Sequence, residues 1–323
     1  MLKTIKLSIG YDHAILENLN LHVRAGEFIC LIGLNGSGKS TLLQSLCGLQ
    51  KPLDGQIYIN GKNLSLLNSR TLAQYISIVL TTAVVIDKLS VFDLVAMGRS
   101  PHTNWVGRLT PKDKNILHQV IEQVGLSAKM NCDFNAMSDG EKQRAIIAKA
   151  LAQDTPIVLL DEPTAYLDVL NRVHIMQLLK TLSRQMNKSF IVSTHELDLA
   201  MQLSDTIWLV GDKQLYVGTP EDLLLQNVFQ RVFENENYRF DKTSGLFQIQ
   251  HPMTKGVVSV KGEDFSAQLI KKAMQRKGFD IDTNATYCIT AENNVFEVNG
   301  QKFSSIEDVL EFVLSTKIQN YSD

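Results

Sequence analysis

The chain contains Gly33-Leu34-Asn35-Gly36-Ser37-Gly38-Lys39-Ser40, which fits the pattern G-x-x-x-x-G-K-[ST]. A continuously apolar run, Phe28–Ile32, precedes it, as expected of a strand buried on both faces. A helical pattern, Thr41–Cys47, follows it. In this order the glycines let successive backbone N–H groups surround phosphate oxygens, and the helix dipole points its positive end at the same anion. The sequence therefore predicts a phosphate-binding loop.

The side chains of this loop predict how the phosphates are held. Lys39 is expected to reach the β- and γ-phosphates as a positive charge, and Ser40 to offer its hydroxyl to Mg²⁺. Lys39 is therefore also a candidate catalytic residue. The predicted nucleotide-binding residues here are Gly33, Asn35, Gly36, Ser37, Gly38, Lys39, Ser40 and Thr41.

A second apolar run, Ile157–Leu160, ends in two carboxylates, Asp161 and Glu162. Functional residues of α/β proteins collect at the carboxyl ends of parallel strands. We expect Asp161 to hold Mg²⁺ through a water molecule and Glu162 to polarise the water that attacks the phosphate.

Composition narrows the class of protein. The chain has 323 residues and a formal net charge of −2, which argues against a general nucleic-acid-binding protein. No apolar run approaches the ~20 residues of a membrane-spanning helix, and the N-terminal residues lack the apolar block of a signal peptide. The 4 cysteines are widely separated, which favours a reducing cytosol over a disulfide framework.

The order of elements predicts an α/β fold with a largely parallel sheet. Predicted strands are Thr4–Ile9, Ala25–Ile32, Gln56–Ile59, Ile157–Leu160 and Ser189–Ser193. Three helix starts have N-cap residues followed by an acidic third position, at Ser90, Thr110 and Thr219.

The pattern changes near residue 250, and residues 251–323 are predicted to form a small C-terminal α+β domain. Its predicted elements are strand Val257–Val260, helix Phe265–Lys277, strand Thr286–Thr290, strand Val295–Val298, an Asn299-Gly300 turn and helix Ser305–Leu314. A stabilising role, regulation, ligand binding and dimer stabilisation all stay open for this domain.

Between the two nucleotide motifs lies Met137-Ser138-Asp139-Gly140-Glu141-Lys142-Gln143-Arg144, which resembles the signature of ABC ATPases, commonly Leu-Ser-Gly-Gly-Gln. Ser138 and Glu141 also form a capping-box pattern, so a well-capped helix start is an alternative interpretation, but the position and order of the motif favour the ATPase signature. The resemblance implies that Ser138 and Gly140 bind the γ-phosphate of ATP held by a second copy of the chain.

The other residues that resemble ABC ATPase motifs occur in the same order along the chain as in that family. Tyr11 resembles the aromatic residue that stacks on adenine, and Asp168 resembles the end of the D-loop. His195 resembles the switch histidine that contacts the γ-phosphate, and is counted as catalytic with Glu162 and Lys39. The resemblance covers residues 1–250, and implies an ABC-type domain of mixed sheet with a helical subdomain at about 82–155.

A narrower resemblance rests on Leu94–His102, Gly107–Thr110 and Val120–Leu126. These stretches are similar to importer ATPases for iron–siderophores, haem and cobalamin, and Gly98-Arg99-Ser100-Pro101-His102 is the most telling. The family implies ATP and Mg²⁺ as cofactors. It implies a second copy of the chain, transmembrane permease subunits and an extracytoplasmic substrate-binding protein as partners. It also implies a place on the cytoplasmic face of the membrane, with no nucleic acid bound.

Two positions depart from the family pattern. Thr81 stands where the family places a Gln that helps to hold Mg²⁺ and water, and its shorter side chain predicts altered contact. Asp139 and Glu141 replace Gly and Gln in the signature, which places an anion near the incoming phosphate.

Two alternatives stand beside the importer ATPase. A non-transport ABC ATPase of cofactor assembly stays open, whereas the single cassette and the lack of heptads and cysteine pairs argue against ribosome and repair types. A non-catalytic regulatory cassette is disfavoured by Lys39, Asp161, Glu162 and His195, which are all intact.

Overall fold

The structure is a computed structural model. It describes residues 1–80, 88–104, 107–234, 238–241, 246–249, 255–285 and 287–315. Thr81 lies outside these residues, so the expectation about it stays a prediction. The chain divides into two compact units, Met1–Phe233 with Phe240–Leu246, and Glu234–Arg239 with Phe247–Asp323.

Thirteen strands are described before residue 250. They are β1 (Leu2–Gly10), β2 (Ala14–Leu19), β3 (His22–Val23), β4 (Phe28–Gly33), β5 (Asp54–Ile59), β6 (Lys62–Asn63), β7 (Ile76–Val79), β8 (Ile157–Asp161), β9 (Ser189–Ser193), β10 (Thr206–Gly211), β11 (Gln214–Gly218), β12 (Tyr238–Asp241) and β13 (Leu246–Ile249).

The helices of the same part lie between these strands. They are α1 (Lys39–Leu46), α2 (Ser69–Leu72), α3 (Val91–Ala96), α4 (Pro111–Gln123), α5 (Asp139–Ala152), α6 (Val169–Gln185), α7 (Leu197–Leu203), α8 (Pro220–Leu225) and α9 (Val228–Phe233). A 3-10 helix covers Met97–His102.

The central sheet has the strand order β11-β10-β4-β9-β8-β7. Only the β10–β11 pair is antiparallel, so the predicted α/β fold with a largely parallel sheet is confirmed. Every residue of β4, β8 and β9 is buried. Successive side chains of a strand point to opposite faces. Phe28 and Cys30 therefore pack into the core on the helix side, and Ile29 and Leu31 into a second core on the other face.

The second core lies under an antiparallel sheet, in which β1 pairs with β2, β3 and β5, and β5 pairs with β6. The Asn60-Gly61 turn joins β5 to β6, with both residues at positive φ. The predicted strand Ala25–Ile32 was too long at its start. Gly26 has φ +70° in a turn, and β4 begins at Phe28.

The predicted N-caps are confirmed. The hydroxyl oxygens of Ser90, Thr110 and Thr219 accept hydrogen bonds from the backbone N–H three residues later, at 3.1, 3.2 and 3.2 Å. These bonds satisfy amides that have no partner within the first turn of a helix.

The C-terminal unit forms its own sheet, in the order β15-β14-β16-β17-β18. Its elements are β14 (Val257–Lys261), α10 (Phe265–Arg276), β15 (Asp280–Ile281), β16 (Cys288–Glu292), β17 (Val295–Val298), β18 (Gln301–Phe303) and α11 (Ile306–Ser315). Apolar side chains from the sheet and both helices form a separate core. Among the described residues, no helix is both long and apolar enough to cross a membrane.

Candidate functional site

The loop between β4 and α1 has the backbone that a phosphate cradle requires. Gly36 and Gly38 have φ of +75° and +101°, which favours glycine at both positions. A Cβ atom at Gly38 would lie 2.7 Å from Ile15 Cγ2, so this position has no room for a side chain. Gly38 is the N-cap of α1 and has no side chain to cap the helix. The first amides of α1 are thus left for an anion.

Lys39 points back along the loop. Its Nζ donates to the backbone oxygens of Gly33 and Leu34, at 2.9 and 3.2 Å, and the residue is only 5% exposed. Burial lowers the pKa of Lys39 below its ordinary value, while the nearby carboxylates of Glu162 and Asp161 act in the opposite direction. The cation therefore faces both carboxylates predicted to act in hydrolysis.

The other predicted loop residues fit a magnesium–nucleotide. The Ser37 hydroxyl is buried and has no hydrogen-bond partner among the described residues, which suits a donor to a phosphate oxygen. Asn35 and Ser40 are exposed, and Thr41 is buried. Ser40 thus presents a hydroxyl, the kind of oxygen ligand that Mg²⁺ takes beside phosphates.

Asp161 and Glu162 come from the end of β8, beside the end of β9. The Ser193 hydroxyl donates to Asp161 Oδ1 at 2.6 Å and accepts from the Glu162 N–H at 2.8 Å. Sequence reasoning missed Ser193, whose only signal was its place at the end of a buried strand, Ser189–Ser193. This bridge fixes the direction in which the two carboxylates leave the sheet.

Glu162 and His195 form a close pair. His195 Nε2 lies 2.7 Å from Glu162 Oε1, and their side chains are 43% and 29% exposed. Glu162 has φ +49°, an uncommon backbone conformation for a residue other than glycine. The structure therefore brings the predicted general base and the predicted switch histidine together.

Asp168 lies at the end of the loop after Glu162. It is the N-cap of α6, and its Oδ1 accepts from the Asn171 N–H at 2.9 Å. The same loop exposes Tyr166 almost fully. Tyr11, just after β1, is also largely exposed, as an aromatic platform for a base would be.

The signature stretch begins α5. Ser138 is its N-cap in a capping box with Glu141, as the sequence predicted. The Glu141 carboxylate is partly buried and has two partners. It pairs with Lys129 at 2.5 Å and accepts a hydrogen bond from the Ser138 N–H. The hydrogen bond from Lys129 is the largest cause that lowers the pKa of Glu141 to about 2. The anion is therefore paired within the chain, which reduces its repulsion of a phosphate.

Ser138 and Gly140 lie apart from the phosphate loop. In the part of the chain that the structure describes, no hydrogen bond joins either residue to residues 33–41. Gly140 instead packs against α6, where a Cβ atom on it would lie 2.8 Å from Asn171 Oδ1.

The stretch Gly98–His102 is largely occupied within the chain. Arg99 is buried, with Nε 2.8 Å from Asp113 Oδ1 and Nη1 donating to the Ala152 oxygen at 2.9 Å. A Cβ atom at Gly98 would lie 2.1 Å from the Lys149 oxygen. Gly98 and Arg99 therefore join this segment to α4 and α5, whereas Ser100 and His102 are exposed.

Two known families match the sequence. Residues 16–165 match the ABC transporter family, and residues 255–314 match the iron ABC transporter C-terminal domain. The second match gives a family to the C-terminal unit, for which the sequence analysis had none.

Three relatives are ATP-binding proteins of importers or transport systems. A petrobactin import ATP-binding protein of Bacillus anthracis is 35% identical over 237 residues, 73% of this chain and 87% of the relative. An iron(3+)-hydroxamate import ATP-binding protein of Bacillus subtilis is 34% identical over 235 residues, 72% of this chain and 87% of the relative. A ferric enterobactin transport ATP-binding protein of Escherichia coli is 31% identical over 230 residues, 71% of this chain and 85% of the relative.

Solved structures agree with the fold. An inward-facing ABC transporter of metal-chelate type has a TM-score of 0.64 and 27% identity, over 72% of this chain and 88% of that chain. A dimeric bacterial ABC transporter cassette has a TM-score of 0.60 and 27% identity, over 68% of this chain and 99% of that chain. The chain therefore belongs to the family of ABC transporter ATP-binding proteins, as the sequence resemblance indicated. It is an ATP-binding enzyme of the ABC ATPase class.

Proposed function

We propose that this chain is the ATP-hydrolysing subunit of an importer for an iron–siderophore, haem or cobalamin-type compound, which passes through a separate permease. The main support for this proposal is that one chain combines a unit of the ABC transporter family with an iron ABC transporter C-terminal domain. The names of the relatives, which import petrobactin and iron(3+)-hydroxamate, support the iron–siderophore class.

The phosphate loop is proposed to bind ATP through its amides, Lys39 and Ser37. Tyr11 is proposed to stack on adenine, in keeping with its exposure at the end of β1. Ser40 and Asp161 would hold Mg²⁺, and Asp161 is already held in place by Ser193. The ion, when bound, neutralises charge on the β- and γ-phosphates.

Glu162 is proposed as the general base. Its carboxylate accepts a proton from water as the water oxygen bonds to the γ-phosphorus, and the bond to the bridging oxygen breaks to leave ADP and phosphate. His195 lies 2.7 Å from Glu162, so it can hold this carboxylate and contact the γ-phosphate from the same place. General-base help of this kind is typically worth about 10²–10⁴-fold in rate.

A second copy of the chain is proposed to complete each site. Ser138 and Gly140 lie at the N-terminus of α5, whose positive dipole end suits an anion, yet neither is hydrogen-bonded to the phosphate loop of its own chain. ATP would therefore lie between the phosphate loop of one copy and the signature of the other, with Asp168 beside it. The dimeric cassette among the similar structures supports this assembly.

The remaining proposals concern the whole chain. Residues 1–250 are proposed as the ATPase domain, with its helical subdomain at about 82–155, and residues 251–323 as the C-terminal domain. The chain is proposed to lie on the cytoplasmic face of the membrane, bound to permease subunits that receive substrate from an extracytoplasmic binding protein.

An affinity pull-down tests the importer role. The tagged chain is recovered from detergent-solubilised membranes, with the tag alone as the control, and partners are identified by mass spectrometry. We expect to recover a polytopic permease in an amount comparable to that of the tagged chain. The identity of that permease would narrow the class of imported compound. Recovery of soluble partners only, with the chain absent from membranes, would contradict transport and favour a non-transport ABC ATPase.

A further inference from the structure

The first turn of α6 lies between three segments that the proposed mechanism uses separately. Asp168, its N-cap, ends the loop that follows Glu162. Asn171 packs against Gly140 of the signature. Arg172 reaches the segment that carries His195. This turn is thus a physical junction between the signature, the D-loop and the switch histidine.

Arg172 forms the junction on the catalytic side. Its Nε donates to the Leu167 oxygen at 2.7 Å, and its Nη1 donates to Glu196 Oε1 at 2.7 Å. A guanidinium holds its donors in one rigid plane, so the two acceptors are fixed relative to each other. One side chain therefore joins the end of the D-loop to the residue after His195.

The switch segment is also held on its other side. The Glu196 N–H donates to Thr194 Oγ1 at 3.0 Å, and the Thr194 N–H donates to the Leu31 oxygen of β4 at 3.1 Å. His195 therefore sits between an anchor on the central sheet and an anchor on Arg172.

Asn171 forms the junction on the signature side. Its Nδ2 donates to Asp168 Oδ2 at 2.7 Å, while its Oδ1 lies against the backbone of Gly140. A shift of the signature helix therefore presses directly on the N-cap of α6. Packed interiors transmit such shifts because they have low compressibility.

We infer that Arg172 is a positioning residue that couples the two ATP sites of the dimer. This rests on the proposed function, in which Ser138 and Gly140 bind ATP held by the other copy. Binding there moves the first turn of α6 through Asn171. Arg172 then carries the movement through Glu196 to His195, which acts on the ATP of its own subunit. Each subunit thus senses through this turn whether the opposite site is filled.

The test compares steady-state ATPase kinetics of full-length variants. Arg172→Met keeps an aliphatic stem but loses both donors. We expect kcat to fall about tenfold, because loss of positioning alone can cost up to about 10²-fold. KM for ATP should stay within about twofold, since the phosphate loop is untouched. The Hill coefficient for ATP should fall towards about 1.

Matched variants separate positioning from stability. Arg184→Met changes an exposed arginine at the other end of α6 and should leave kcat and the Hill coefficient unchanged. Arg172→Lys keeps the charge but cannot reach both acceptors at once, so its kcat and Hill coefficient should fall nearly as far as those of Arg172→Met. Adding Glu196→Gln to Arg172→Met should cause little further loss, because both changes break the same bridge.

Two outcomes would overturn the inference. One is a kcat and Hill coefficient of Arg172→Met equal to those of the unchanged chain. The other is a loss of kcat that follows a lowered unfolding midpoint while the Hill coefficient stays unchanged, which indicates a structural role only. Sedimentation of the Glu162→Gln variant with Mg-ATP tests the dimer itself. A species that stays monomeric there contradicts the proposed function, whereas a dimer with unchanged Arg172→Met kinetics contradicts the coupling alone.

Discussion

Glu162 depends on its neighbours for its direction. Its backbone has positive φ, its N–H is held by Ser193 at 2.8 Å, and its carboxylate is held by His195 at 2.7 Å. Such strained conformations persist where surrounding contacts determine them. Two contacts, one to the backbone N–H and one to the carboxylate, therefore hold Glu162 at the end of β8, where a water molecule could be activated.

Glu162→Gln tests whether Glu162 is the general base. The amide keeps the size of the side chain and can still bond to His195, but it does not accept a proton at neutral pH. We expect kcat to fall about 10²–10⁴-fold while ATP binding persists. A phosphate-release assay measures the rate, and Glu17→Gln on the exposed face of β2 is the matched control. Turnover equal to that of the control would remove Glu162 from the base role.

Lys39→Ala tests the phosphate site. The ammonium is buried and lies at the loop that we propose for the phosphates, so its loss should weaken ATP binding by about 1.5–3 kcal/mol, or roughly 10–150-fold in Kd. Calorimetric titration with ATP measures this, with the exposed Lys51→Ala as the control. An unchanged Kd in Lys39→Ala would show that the ammonium does not contact the nucleotide.

At the scale of elements, an ion pair joins the helices that carry the signature. Arg99 lies in the 3-10 helix after α3, Asp113 in the first turn of α4, and the Ala152 oxygen at the end of α5. Both charged side chains are only 6% exposed. One guanidinium therefore adds a polar link among these three elements, and α3, α4 and α5 also share a hydrophobic core.

Arg99→Met should destabilise the protein strongly. Removal of one partner of a buried ion pair typically costs about 3–5 kcal/mol, because the other charge is left unpaired. Denaturant unfolding measures the loss. Arg108→Met, an exposed arginine of the same segment, should change stability by less than about 0.5 kcal/mol. Equal midpoints for the two variants would show that the ion pair contributes nothing.

The same cluster predicts a dependence of stability on pH. The hydrogen bond from the Thr110 hydroxyl is the largest cause that lowers the pKa of Asp113 to about 2, and the Arg99 guanidinium adds to it. Between about pH 4 and pH 2 the unfolded chain therefore holds a proton that the folded chain does not. Stability contributed by Asp113 is present above that range and is lost as the pH falls through it. Between pH 5 and pH 3, the denaturant midpoint of unfolding should fall more for the unchanged protein than for Asp113→Asn. Equal falls for the two proteins would show that Asp113 is not the source of the pH dependence.

The sequence predicted those features that depend on neighbouring residues. The phosphate loop, the capping residues such as Ser138 and the apolar strands β4, β8 and β9 are local patterns, and the structure contains them. The strands β2, β10 and β11 were not identified. Strands β2 and β11 are partly exposed and have an irregular apolar pattern. They are strands because they pair with neighbouring strands, which the local sequence does not show.

Contacts between distant residues could not be predicted. Ser193 bridges to residues 31 and 32 positions away, and Arg172 reaches Glu196 across 24 positions. A buried serine or a partly exposed arginine has no sequence signal that names its partner. The functional importance of such residues follows only from which strands and loops the fold brings together.

At the scale of the molecule, the two units have separate hydrophobic cores. Among the described residues, the core of the C-terminal unit draws on Val258 to Val313, and shares no residue with the two cores of the ATPase unit. The nucleotide motifs described here all lie in the first unit. The groups proposed for hydrolysis therefore belong to that unit and to a second copy of it.

Mixing two inactive variants tests whether each ATP site is built from two copies of the chain. Lys39→Ala has a defective phosphate loop and an intact signature, and Ser138→Arg has the reverse. A mixed dimer then contains one intact site, built from both chains. Random pairing makes half of the dimers mixed, so we predict an ATPase rate of up to about a quarter of the unchanged protein's rate. A mixture no faster than the mean of the two variants alone would contradict a site shared between copies.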